Sequence, residues 1–162
     1  MSTAIDTAKV TNRRQLQFSK TEDIIADVEK LAAAREIRTL GNWSSGQVFM
    51  HLANTMNKSM DGFNHRLPWP IRVIARVFIK RGFLKKPMKA GFQLPAKSAA
   101  ELICPSATTE EGLQNIRKAL HRLQTEDHRE PSAFLGPMTR DEWEKLHCRH
   151  SELHLSFLIP VT

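Results

Sequence analysis

Three histidines fall within eight residues near the end of the chain, in HCRHSELHLSF (His147–Phe157). Imidazole serves as a metal ligand, a general acid–base or a packed ring, and its placement separates these roles. At about 100° per residue, a helix puts His147, His150 and His154 within an arc of about 60°. That arc borders the apolar stripe of Leu146, Leu153 and Phe157, with Lys145, Arg149, Glu152 and Ser156 expected on the solvent side. His150 and His154 stand at i and i+4, the spacing at which two imidazoles reach one ion. Two ligands do not fill a tetrahedral site, so a third must come from another element. The best candidate is His51, in SSGQVFMHLANTM, at the margin of the apolar face that Val48 and Leu52 set. Facing helices of a bundle build interior metal sites in this way.

The remaining candidates take outer roles. His147 is an alternative to either partner, and otherwise lies at the mouth of the site or supports a ligand. Gln47 and Asn54 share the His51 side of their helix and are expected to hydrogen-bond the ligands. His65, His121 and His128 read as surface or loop residues. HSELH is not the metalloprotease motif HExxH: its Glu152 comes two residues after His150, turned about 200° away, and takes no general-base role. Cys148 reads as a packing thiol rather than a nucleophile. Three imidazoles leave a coordination position open. All-imidazole ligation suits zinc or nickel, and also iron or copper. An ion there would lower the pKa of a bound water for hydrolysis, or hold a thiol as thiolate for group transfer.

Helices must position these residues. Four Ser/Thr-x-x-Glu/Gln capping boxes each open a periodic apolar segment: Ser19 with Glu22, Ser44 with Gln47, Thr108 with Glu111, and Thr139 with Glu142. Ile24, Val28, Leu31 and Arg35 follow 4-3-4 spacing, and Leu113, Ile116, Leu120 and Leu123 follow 3-4-3. Gly62 ends the second helix, Gly136-Pro137 leads into the last, and Pro160 stops it. Strand signals are poor: there is no Tyr and no hairpin dipeptide between alternating runs. The expected fold is all-α, a bundle of four principal helices. The long connection of about 61–107 is expected to carry structure or cross the bundle, with an extra short helix over Ile71–Arg81.

The 162 residues fit one domain, 1–162, with 1–12 expected to be flexible. Hydrophobic residues make up 41%, enough for a packed core. No apolar run reaches the roughly 20 residues of a membrane span, and the N-terminus lacks a signal-peptide core, so a cytoplasmic protein is expected. Two cysteines without CxxC exclude a disulfide scaffold and a zinc ribbon. The net charge of +7 is uneven: no acidic residue occurs between Asp61 and Glu101. Within the basic 66–97 segment, Arg72, Arg76 and Lys80 form one stripe. A solvated face covering one side of the bundle is favoured for it over binding to anionic membrane or nucleic acid, for which no recognised motif is present. A non-enzymatic binding module using this segment is the alternative to a metal-dependent enzyme.

NWSSGQVFMHLA (Asn42–Ala53), followed about a hundred residues later by HSELHLSF (His150–Phe157), resembles the DinB/YfiT-like superfamily of metal-binding four-helix bundles. RRQLQF (Arg13–Phe18) and MTRDEWEKLHCRHSELHLSFLIP (Met138–Pro160) resemble, more narrowly, a bacterial domain-of-unknown-function branch of it. The resemblance implies a crossover between helices two and three and three histidine ligands, which map onto His51, His150 and His154. It implies a homodimer and a small-molecule substrate. It also implies thiol S-transferase or isomerase chemistry with a low-molecular-weight thiol cofactor. The basic middle segment has no counterpart in that pattern.

Overall fold

The computed structural model describes residues 4–91 and 96–161. Residues 1–3 of the N-terminal segment and 92–95 of the basic segment therefore lie outside the described residues. In chain order the elements are α1 (Thr21–Ala32), β1 (Glu36–Thr39), α2 (Ser45–Asp61), α3 (Trp69–Ile74), a π-helical turn (Ala75–Ile79), α4 (Lys80–Lys85), α5 (Ala96–Leu102), α6 (Thr109–Thr125), α7 (Arg140–Leu155) and β2 (Leu158–Val161). A short 3-10 turn, Thr7–Lys9, precedes them, and Ile5 exchanges two hydrogen bonds with the Asn42 side chain.

The described chain is mostly helical. The four longest helices, α1, α2, α6 and α7, enclose the core: α2 packs on α6 and α7, and α1 packs on the same two. Their apolar stripes explain this. Ile24, Val28 and Leu31 of α1, Phe49, Leu52 and Met56 of α2, and Ile116 and Leu120 of α6 are all buried in one cluster. Each such side chain contributes roughly 1.5–3 kcal/mol through its removal from water. Arg35 falls beyond the end of α1, which stops at Ala32, so it does not extend the stripe.

Three of the four expected capping boxes are present in full. Ser44, Thr108 and Thr139 each accept from the third helical N–H at 3.2 Å. Gln47, Glu111 and Glu142 accept in return from the cap N–H at 3.0, 2.8 and 2.9 Å. The Ser19–Glu22 box is not formed. Asp23 instead accepts from the N–H groups of Ser19 and Lys20, and the helix starts two residues later than Ser19. Gly62, at φ 91°, closes α2 as expected.

Two corrections concern the chain ends. The fold holds a small antiparallel sheet of β1 and β2, pairing Glu36 with Val161 and Thr39 with Leu158. Each strand is four residues long, too short to present a period-two signature. Pro160 lies in β2 opposite Ile37 rather than stopping α7, which ends at Leu155. A strand with one neighbour tolerates a residue without an N–H. The second correction is Glu152, expected in solvent but buried together with Ser156. The segment 13–18 lies across that side of α7. Arg14 pairs with Asp27 through two bonds of 2.6 and 2.7 Å and donates to the Leu155 carbonyl. The Phe18 N–H donates to Glu152, and Arg149 donates to the Phe18 carbonyl.

The connection between α2 and α6 carries more structure than the single helix expected over Ile71–Arg81. α3, the π turn and α4 form one rod over 69–85, and α5 follows. The segment from α5 into α6 then passes close to α2. A Cβ built on Gly46 would meet the carbonyl oxygens of Ala107 and Thr108 at 2.3 Å, and one on Gly112 would meet the Gly46 oxygen at 2.6 Å. Only glycine permits backbones this close. Gly112→Ala should therefore lower stability by roughly 1–3 kcal/mol or more, because the obstructing atoms are backbone. Gly82→Ala, with nothing within 4 Å, should instead raise it by about 0.5–1 kcal/mol. Thermal unfolding of the two variants checks the contrast; equal shifts would contradict the close approach.

Candidate metal centre

α2 delivers His51 and α7 delivers His150 and His154 to one point. Each offers a ring nitrogen, and those three atoms lie within 4.8 Å of one another. The rings stand edge to face, with centroids 4.6 to 5.0 Å apart and interplanar angles of 66° to 86°. They converge rather than stack.

An obligate acceptor fixes the protonation pattern of one of them, His51. His51 Nδ1 lies 3.2 Å from the Leu102 carbonyl oxygen, which only accepts, so Nδ1 carries the proton. His150 Nδ1 lies 3.5 Å from Thr55 Oγ1. The Thr55 hydroxyl also lies 2.9 and 3.1 Å from the Leu52 and His51 carbonyls, to which it can donate. His51 Nε2 then presents a lone pair and lies 3.2 Å from His150 Nε2, a gap that a proton or a cation bridges. Tetrahedral Zn–N bonds of about 2.05 Å place neighbouring nitrogens about 3.3 Å apart, so the spacing suits an ion.

Burial keeps the rings neutral. His51 is buried, and desolvation lowers its pKa to about 4 against the partial opposition of its bond to Leu102. Desolvation, and then the neighbouring imidazoles, push His150 and His154 well below the ordinary value. Neutral imidazole is the form that ligates. Trp43 covers one side, its ring stacked on His154 at 5.4 Å with planes 9° apart and 5.0 Å from His51. His150 and His154 are each of intermediate exposure, so part of each residue reaches solvent.

The other sequence candidates sit elsewhere. Gln47 does not touch an imidazole: its amide donates to the Cys104 and Pro105 carbonyls. Asn54 donates to the same Leu102 carbonyl that holds His51, at 3.3 Å. His147 is buried away from the opening, hydrogen-bonded to Ser59 Oγ at 3.1 Å and stacked on Trp143. It is neither at a mouth nor in contact with the triad through a hydrogen bond. His65, His121 and His128 are exposed, as expected. Cys148 is buried, and desolvation pushes its thiol up to about 12. Two clefts, of about 300 and 750 Å³, lie away from the triad. Sequence reasoning missed Trp43, Leu102 and Thr55. Thr55 is four residues from His51 and was findable by helical spacing; a backbone carbonyl such as that of Leu102 leaves no mark in side-chain patterns.

The family described as "Protein of unknown function (DUF1569)" matches residues 10–161, and the chain belongs to it. Neither the curated proteins nor the solved structures compared yield a match.

Two outcomes follow from the buried groups. A thiol reagent at neutral pH should modify the part-exposed Cys104 rapidly and Cys148 only on unfolding, as counted by mass spectrometry. His147, held at about 3 by desolvation, takes up its proton in the unfolded chain first. Its contribution therefore destabilises the fold as pH drops below the ordinary value of 6.5. The slope is about 1.4 kcal/mol per pH unit. Urea titrations across that range should show a shallower acid loss for His147→Gln than for the wild type.

Proposed function

We propose that the chain is a metal-dependent enzyme with a three-histidine centre, His51, His150 and His154, and a fourth coordination position open to a small molecule. The observation that carries this is the convergence of three imidazoles from two helices, their ring nitrogens within 4.8 Å of one another and the Nε2 atoms of His51 and His150 3.2 Å apart. Three imidazoles meeting from two helices are the donor set of an open metal site. The four long helices, with a structured crossover between the second and the third, support a four-helix bundle of the DinB-like type.

The donor set suits zinc or nickel. When bound, such an ion supplies Lewis-acid activation of a water or of a low-molecular-weight thiol. The chain's own residues do the rest. The Leu102 carbonyl holds the His51 imidazole in the ligating tautomer, which raises its basicity. Trp43 shields His154 from water and leaves the opposite side for a substrate. Cys148 supplies no nucleophile, since its thiol is buried and protonated at neutral pH. The nucleophile therefore arrives with the substrate or cofactor. The resemblance to DinB-like proteins points to a thiol S-transferase or a hydrolase acting on a small molecule and working as a homodimer.

Elemental analysis of the purified chain should find about one transition metal per chain, lost in His51→Ala, His150→Ala and His154→Ala. Nickel titration should quench tryptophan emission, since Trp43 lies 5.4 Å from His154, and Trp43→Phe should abolish most of that quench. Undiminished metal in the histidine variants would remove the assignment. With metal loaded, thiol conjugation of an electrophile and ester hydrolysis separate the two activities.

A further inference from the structure

We propose that the rod over 69–85 is an interfacial anchor that lies on an anionic lipid surface. Its inner side is fixed to the body. Ala75 is buried, Lys80 pairs with Glu142 of α7 at 2.6 Å, and the Phe83 ring lies 5.9 Å from that of Phe134. Its outer side is apolar and uncovered among the described residues. Trp69, Ile71, Val73, Ile74, Val77 and Phe78 are all exposed, Trp69 by 69% and Phe78 by 78%. Single exposed apolar residues are ordinary; six on one rod, spread over about 200° of it at helical spacing, mark a contact surface. The π turn contributes to it, since Val77 and Phe78 both fall within Ala75–Ile79. The sequence pattern alone favoured a solvated charged face here, because Arg72, Arg76 and Lys80 line up. In the structure Lys80 is turned inward to Glu142, and the apolar residues face out.

Charge selects the partner. No acidic residue lies between Asp61 and Glu101, and Arg76, Arg81, Lys85, Lys86 and Lys89 are exposed around and beyond the rod. A second copy would set this positive charge against itself. Nucleic acid would match the charge but offers no apolar layer for Phe78, Val77 and Ile74. An anionic bilayer surface offers both: phosphate headgroups for the cations and an acyl boundary for the rings. The rod rests on the surface rather than crossing it, since no described helix is long and apolar enough to span a membrane. Binding is independent of the histidine centre, whose residues lie on α2 and α7.

The test is co-sedimentation of the full chain with phosphatidylcholine vesicles, with and without about one-third phosphatidylglycerol, at about 150 mM salt. Partitioning should rise at least about tenfold with the anionic lipid. The emission of Trp69 should shift to the blue on binding, and Trp69→Phe should lose that shift. Val77→Ser with Phe78→Ser should weaken partitioning at least about tenfold without moving the thermal midpoint, because both positions are solvent-exposed. Absence of partitioning would overturn the proposal. So would undiminished partitioning of the double variant, which would leave only charge attraction. Light scattering showing a lipid-free dimer that the same double variant dissociates would assign the face to a second copy. Binding to duplex DNA alone, unaffected by the double variant, would assign the cations to nucleic acid.

Discussion

The arrangement depends on one line of contact, where a polar edge of α2 runs along the backbone carbonyls that lead into α6. Ser44 reaches the Ala107 carbonyl, Gln47 those of Cys104 and Pro105, and His51 and Asn54 that of Leu102. Residues 44, 47, 51 and 54 follow helical spacing, so they share one side. The carbonyls descend as the helix advances. Gly46 makes the line possible, since any Cβ there would strike the 107–108 backbone. These bonds satisfy carbonyls that a helix end and a loop would otherwise leave without partners. They also fix the rotation of the His51 ring. The same contacts that dock the crossover therefore aim the imidazole.

Desolvation acts on all three rings, and at His51 a hydrogen bond acts with it. Burial removes the proton that water would support, and the acceptor at the far nitrogen of His51 decides which lone pair is left there. The result is a concentration of unprotonated donors beside a partly open face. On the other side of α7 the chain does the reverse. Glu152 is buried, which raises its pKa, yet the Phe18 N–H and Arg149 hold it. Arg14 joins the N-terminal segment to both α1 and the end of α7. One face of α7 is thus closed by the N-terminal segment, while the other carries the imidazoles.

The crossover serves two surfaces. Its C-terminal part, α5 and the turn after it, supplies the Leu102 carbonyl to the centre. Its N-terminal part, the rod, stands on α7 through Lys80–Glu142 and turns its apolar residues outward. Glu142 also closes the N-terminal capping box of α7. A single carboxylate therefore fixes both the start of the helix that bears two of the histidines and the footing of the rod.

Short-range physics was legible in the residues. Three capping boxes, the apolar stripes of α1 and α6, the glycine stop at Gly62 and the shared face of His150 and His154 all follow from local spacing. Capping and helical periodicity act within a few residues, so the sequence carries them directly. Contacts between distant segments were not legible. The burial of Glu152 depends on a strap more than a hundred residues away. The β1–β2 pairing joins opposite ends of the chain through backbone groups common to every residue. The Leu102 carbonyl that orients His51 belongs to the same class. The outward turn of the rod was decided by which side docks on α7, a choice of packing that an amphipathic pattern with charges on several sides does not make. The sequence by itself determined the four long helices and that His150 and His154 share a face. Tertiary packing decided which nitrogen His51 presents, because that rests on the Leu102 carbonyl placed by another part of the chain.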